Sequence, residues 1–146
     1  MTITRRAMCF LLPGLFPAAA VFDAFAADDN SLPSASYPFD KLPMQVLDHV
    51  EMRRVLKGKL ATGEALEVHE TTLPAGAAPH APHHHTHSEM WMVREGTVEL
   101  TVNGASYRLG PGGVGFVHSN EEHGIKNVGS TVATYFVVAV GPGADA

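Results

Sequence analysis

The stretch from Thr97 to Leu109 constrains the possible fold more than any other part of the sequence. Val98, Leu100 and Val102 alternate with Thr97, Glu99 and Thr101, and Asn103-Gly104 follows at once. A period of two puts successive side chains on opposite faces of an extended chain, and Asn-Gly suits a tight type I′ turn, whose two central residues need positive φ. A β-hairpin is therefore expected here. Similar short apolar or alternating runs recur at 65–73, 90–94, 114–117, 124–128 and 131–140, punctuated by Gly, Pro and Asn. No helical period lasts beyond about two turns, so the pattern is that of an all-β sandwich or barrel. The run from Thr131 to Val140 is apolar on both faces and is expected in the middle of a sheet. Residues 44–60 read as a strand ending near Gly58, with a short helix leading into a strand as the alternative.

Room for more than one domain is lacking in 146 residues, and a hydrophobic content of 45% is ordinary for a chain with a real core. Residues 1–26 read as an export signal, with a basic head at Arg5 and Arg6, an apolar stretch, and the ending Ala24-Phe25-Ala26. The adjacent arginines after Thr4, and an apolar run weakened by Pro13, Gly14, Pro17 and Asp23, resemble a twin-arginine signal more than a general secretory one. The same prolines and aspartate argue against a spanning helix, so no stable membrane anchor is expected after cleavage and the mature protein is expected to be periplasmic or secreted. Cleavage after Ala26 would remove the only cysteine and take the formal charge from −5 to −6. Disulfides and thiolate ligands are then excluded. Residues 27–43, rich in Asp, Ser and Pro, read as a flexible lead-in, and 44–146 as the folded domain. No basic stripe interrupts the mildly acidic balance, so nucleic acid is not an expected partner.

Five of the nine histidines, His80, His83, His84, His85 and His87, fall within eight residues. Side chains two apart in a strand point the same way, so His83 and His85 can aim two imidazoles at one point, each at the ~2.0–2.1 Å that a first-row metal requires. Glu89 shares their parity, but an extended chain would carry it about 20 Å away. The chain must bend between His85 and Glu89, and a further ligand must come from a neighbouring strand, for which His123 is the natural candidate. An alternative register uses His85 and His87 and leaves His83 outside. In the favoured register His87 is a pocket residue, His80 and His84 are loop or opposite-face residues, and His118 is a rim residue or pocket donor. His49 and His69 carry no spacing signal and are treated as structural. If Glu89 faces inward, Trp91 and Val93 do so too, while Met90, Met92 and Arg94 face outward. Phe116, Ile125 and Tyr135 would complete an apolar wall, and Met90 and Met92 would offer a contact for a homodimer.

These residues resemble the two motifs of the cupin superfamily. His83, His85, Glu89 and Gly96 match the first, with Gly76 one residue further upstream than usual. Gly112, His123 and Asn127 match the second, which departs at His118 and Asn120, where a proline and a second glycine are expected. The resemblance covers residues 60–140 and implies a double-stranded β-helix, or jelly roll, with one divalent transition metal inside the barrel, held by His83, His85, Glu89 and His123. Ligand identity leaves Mn, Fe, Co, Ni, Cu and Zn all open. Three neutral imidazoles and a carboxylate leave a net +1 on such an ion, and the open positions suit a small organic ligand. The expected function is that of a metal-dependent oxidoreductase of dioxygenase type, in which Glu89 doubles as a proton acceptor, as resemblance to flavonol-cleaving cupins implies. A non-catalytic binding or sensing module with a structural metal is the alternative. A sugar-nucleotide reading is weaker, because Arg53, Arg54, Arg94 and Arg108 are the only arginines beyond the signal.

Overall fold

A computed structural model describes residues 31–146. The expected export signal and the first residues of the expected lead-in lie outside the described residues. A short 3-10 helix, Phe39–Lys41, precedes nine strands: β1 (Met44–Leu47), β2 (Val50–Lys59), β3 (Ala65–Leu73), β4 (Ser88–Glu95), β5 (Val98–Val102), β6 (Ala105–Leu109), β7 (Val114–Val117), β8 (His123–Asn127) and β9 (Ala133–Val140). All pairings between them are antiparallel, in a six-stranded sheet of order β1-β2-β3-β9-β4-β7 and a three-stranded sheet of order β6-β5-β8. This is the all-β jelly roll anticipated above. Strand β9 lies between β3 and β4, where its two apolar faces place it, and the β5–β6 hairpin turns at Asn103 and Gly104 with φ of 48° and 82°.

Residues 44–60 form two strands instead of one. Asp48 takes φ 56°, and the chain reverses there so that Leu47 pairs with Val50. Asp tolerates this left-handed conformation better than most residues. The described part of the lead-in is likewise docked. Leu32 N–H donates to Lys59 O at 2.7 Å, and Phe39 lies under the guanidinium of Arg53, 4.6 Å from ring centroid to Cζ. Arg94, the outward residue of β4, pairs at 2.7 Å with Glu70 on β3, whose side chain is only 2% exposed.

The core is built by alternation. Trp91 and Val93 of β4, Val98 and Leu100 of β5, Val117 of β7, Ile125 of β8 and Tyr135 and Val137 of β9 are all buried in one cluster. Two motif residues act on the backbone of this core. At Gly96 φ is 77°, and an added Cβ would stand 2.5 Å from Val132 O. Only glycine allows β9 to pass so close to the turn between β4 and β5. Asn127, fully buried, directs its amide nitrogen to Leu73 O (3.0 Å), Pro74 O (3.0 Å) and Thr131 O (2.8 Å), and its Oδ1 accepts from Gly129 N–H at 2.9 Å. Its side chain thereby ties the end of β3 to the loop before β9. Asn127→Ala would strand several of these backbone groups away from water, at about 1–3 kcal/mol for an unpaired buried group. We expect it to lower unfolding stability by about 3 kcal/mol, read as a shift of the urea midpoint at unchanged slope.

Candidate metal centre and its pocket

Strand β8 begins with His123, and its backbone exchanges two hydrogen bonds with the histidine-rich segment. His83 N–H donates to His123 O at 2.9 Å, and His123 N–H donates to His83 O at 2.8 Å. Asn120 N–H donates to His85 O at 2.7 Å and pins the segment again two residues later. The chain then turns through Thr86 and His87 into β4, which returns Glu89 to the same spot. This is the bend that the spacing demands.

His83, His85 and His123 each offer a ring nitrogen within 4.8 Å of the others. Their rings are mutually inclined by 52° to 69°, so their lone pairs can converge on one centre. Glu89 closes the group, with Oε1 3.4 Å from His85 Nε2 and Oε2 3.4 Å from His123 Nε2. The tautomers follow from the backbone. His85 Nδ1 lies 2.9 Å from His87 O and His123 Nδ1 lies 2.8 Å from Glu121 O. A carbonyl only accepts, so both Nδ1 atoms carry the proton and both Nε2 atoms present a lone pair. Those two Nε2 atoms, together with His83 Nδ1, are buried without a hydrogen-bond partner. One ring nitrogen tied to a carbonyl, with the other orphaned towards a shared point beside a carboxylate, is how metal-ligating histidines are held. The residues present therefore fit a metal ion.

Burial, followed by repulsion from neighbouring imidazoles, lowers the pKa of His83 from its ordinary value, and the same two causes lower that of His87. Both are thus kept neutral at neutral pH, the form in which imidazole binds metals. His87 Nε2 is 3.5 Å from Glu89 Oε1, and with His85 and Glu89 it makes a second possible trio. Its ring stacks on that of His85 at 3.6 Å and 15°, whereas the rings of His83, His85 and His123 are mutually inclined.

A cavity of about 240 Å³ opens beside this group. Glu89 and His123 line it, and Trp91, Ile125, Tyr135 and Val137 form much of its wall. Burial holds the proton on the Tyr135 hydroxyl well beyond the usual phenol range. The expected pocket role of Phe116 needs correction, as does the pocket-donor reading of His118, which leaves it the exposed rim residue of the other reading. Phe116 is 51% exposed and pairs across the sheet with outward-facing Met90, whereas Glu89 pairs with buried Val117. His118 is exposed and packs edge-on against Phe116, with ring centroids 5.3 Å apart, outside the cavity. Their parity puts both on the outer face. His80, expected away from the site, lines the cavity and meets the His83 ring edge-on at 4.3 Å, while His84 is an exposed loop residue. His49 sits in the exposed β1–β2 turn. His69 faces the cavity from β3, contrary to its reading as structural. The signal lay in parity, because His69 shares the inward face of β3 with Thr71 and Leu73.

Residues 69–139 match the family model described as a Cupin domain. The chain is 38% identical over 73 residues to an L-ectoine synthase from Bordetella parapertussis, a match covering 49% of this chain and 53% of that one. The chain thus spans about half the length of the curated relatives it matches. Among solved structures, a predicted oxalate decarboxylase from Thermotoga maritima superposes with a TM-score of 0.63 at 20% identity, covering 73% of this chain and 99% of that one. An RmlC-like cupin from Shewanella frigidimarina gives 0.62 at 20% identity, with 77% and 96% covered. The fold is that of the cupin double-stranded β-helix, and its histidine-rich site could hold a metal.

Two outcomes follow for the protein itself. His69, His83 and His87 all have pKa values lowered from the ordinary 6.5, chiefly by burial, so the folded chain binds fewer protons than the unfolded one below that value. Their stabilisation is complete above pH 6.5 and is lost as pH falls through the lowered folded values. The melting temperature of metal-free protein should therefore drop on going from pH 7 to pH 5, and a flat profile would show that these imidazoles are not desolvated. Independently, His123→Ala removes the most buried ring of the group and should weaken zinc binding about 100-fold or more by calorimetric titration.

Proposed function

We propose that the chain is a metal-dependent enzyme acting on a small organic molecule, and specifically an oxidoreductase of dioxygenase type. The observation that carries the reading is the pair of orphaned Nε2 atoms of His85 and His123, each 3.4 Å from the Glu89 carboxylate, which with His123 lines a largely apolar cavity. His83, His85, Glu89 and His123 would hold the ion. When bound, a divalent transition ion supplies Lewis acidity and, where it is redox-active, the means to use dioxygen. Around it, the protein's own groups exclude water and orient the ligand. Trp91 and Tyr135 form a dry wall, and the backbone carbonyls of His87 and Glu121 lock the imidazoles. The Glu89 carboxylate faces the cavity and is placed to accept a proton from a ligand seated there. The reading includes export to the periplasm or beyond and a homodimer through the outward face of β4 carrying Met90 and Met92.

The match to L-ectoine synthases favours a second reading, in which the same site serves L-ectoine formation. The two are separated by loading metal-free protein in turn with iron, manganese, nickel, copper, cobalt and zinc. Each form is then assayed for oxygen uptake with flavonols and other small oxygenated aromatics, and for L-ectoine formation. We expect oxygen uptake with a redox-active ion and its loss in Glu89→Gln. Absence of turnover with every ion, in a protein that keeps its fold and its metal, would leave only the non-catalytic binding module.

A further inference from the structure

His69 stands apart from the metal group and is unused by the chemistry just described. It projects from β3, and the sheet order places one strand, β9, between it and β4, which carries Glu89. Cross-strand neighbours run His69 to Val137 to Trp91, and Glu67 to Ala139 to Glu89. Adjacent strands lie ~4.8 Å apart, so the strands bearing the two residues are about 10 Å apart. Both side chains line the same cavity.

One edge of the His69 ring is turned towards a carboxylate. Nδ1 is buried without a hydrogen-bond partner and faces Glu67 Oε1 at 3.6 Å, longer than a hydrogen bond. At that separation the electrostatics still choose the tautomer. A proton on Nδ1 turns a positive edge towards the carboxylate, whereas the other tautomer would turn a lone pair towards it in a poorly solvated corner. Glu67 is itself held by Lys57 Nζ at 3.7 Å and Arg54 Nε at 3.9 Å, so it cannot swing away without leaving both cations. Burial also lowers the pKa of His69, which keeps the ring neutral. The ring is 20% exposed, and the surface it keeps lines the cavity. The Glu67 and Glu89 carboxylates and the Arg54 guanidinium all bear on the ring, and the cavity wall between His69 and Glu89 is largely apolar, which suits a neutral hydroxyl.

We propose that His69 is the second recognition point of the pocket, its Nε2 accepting a hydrogen bond from a hydroxyl at the far end of a largely apolar ligand whose oxygen-bearing head sits at the metal group. Glu67 is the positioning residue that sets the His69 tautomer. The ligand class is thus a small, largely apolar molecule with an oxygen-bearing head and a hydroxyl at its far end, long enough to reach from β4 past β9 to β3. The inference rests on the metal-centre reading given under Proposed function.

The test uses full-length zinc-loaded protein, with 4-hydroxybenzoate and benzoate as probes. In protein labelled with ¹⁵N-histidine, the His69 resonance, assigned through its loss in His69→Phe, should show the Nδ1–H tautomer, and Glu67→Gln should weaken that preference. By calorimetry, wild type should bind 4-hydroxybenzoate about five- to tenfold more tightly than benzoate, the worth of one net hydrogen bond. In His69→Phe the two affinities should become equal with benzoate binding retained. An Nε2–H tautomer, equal affinities in wild type, or a hydroxyl preference that survives in His69→Phe would each overturn the inference while leaving the metal centre intact. Should the phenylalanine variant fail to fold, the wild-type preference between the two probes still decides the matter. Failure of the protein to retain zinc would instead sink the metal-centre reading and this inference with it, whereas failure of zinc-loaded wild type to bind either probe would overturn this inference alone.

Discussion

The reciprocal pair of backbone hydrogen bonds between His83 and His123 is the constraint on which the site depends. Forty residues separate the two in sequence, and nothing local would bring them together. Once their backbones are joined, the ring of His83 lies 4.8 Å from that of His123, and His85, two residues on, brings its ring within 4.7 Å of His123 as well. The hydrogen bond from Asn120 to His85 keeps the segment in this register through the turn into β4. Glu89 then arrives by strand pairing alone, opposite Val117 on one side and Ala139 on the other. Each ligand candidate is therefore set by main-chain geometry, and side-chain freedom is removed afterwards by the carbonyls of His87 and Glu121.

Gathering three desolvated imidazoles beside a carboxylate is costly for a small barrel. Each orphaned ring nitrogen forgoes its bond to water, and burial resists any added proton. The compensation lies in the rest of the fold. The hydrophobic cluster from Trp91 to Tyr135 encloses the cavity, Asn127 stitches the loop before β9 to the end of β3, and Gly96 lets β9 pack against the β4–β5 turn.

How far the residues could be read in advance depended on which rule applied. The hairpin at Asn103-Gly104, the central place of β9 and the inward parity of Glu89, Trp91 and Val93 follow from a period of two and from turn chemistry, both local. The histidine and glutamate spacing marked out the segment that the structure folds around one point. Phe116 was assigned by residue type, and its strand register puts it outside with Met90. His69 was passed over because it belonged to no spacing pattern, although its parity with Leu73 pointed inward. The turn at Asp48 was missed because a single residue in a left-handed conformation leaves almost no trace in hydrophobic periodicity.

By itself, the sequence determined the local terms: where strands run, which side chains share a face, and that a cluster of imidazoles and a carboxylate must be accommodated. Those depend on near neighbours along the chain, and period and turn chemistry encode them directly. Only the tertiary structure decided which faces meet. The 52° to 69° inclination of the three rings, the stacking of His87 on His85, the outward place of Phe116 and the seat of His69 across the cavity from Glu89 all depend on strand order and register. Strand order and register come from long-range backbone pairing, in which one step of slip exchanges the inside of a strand for its outside.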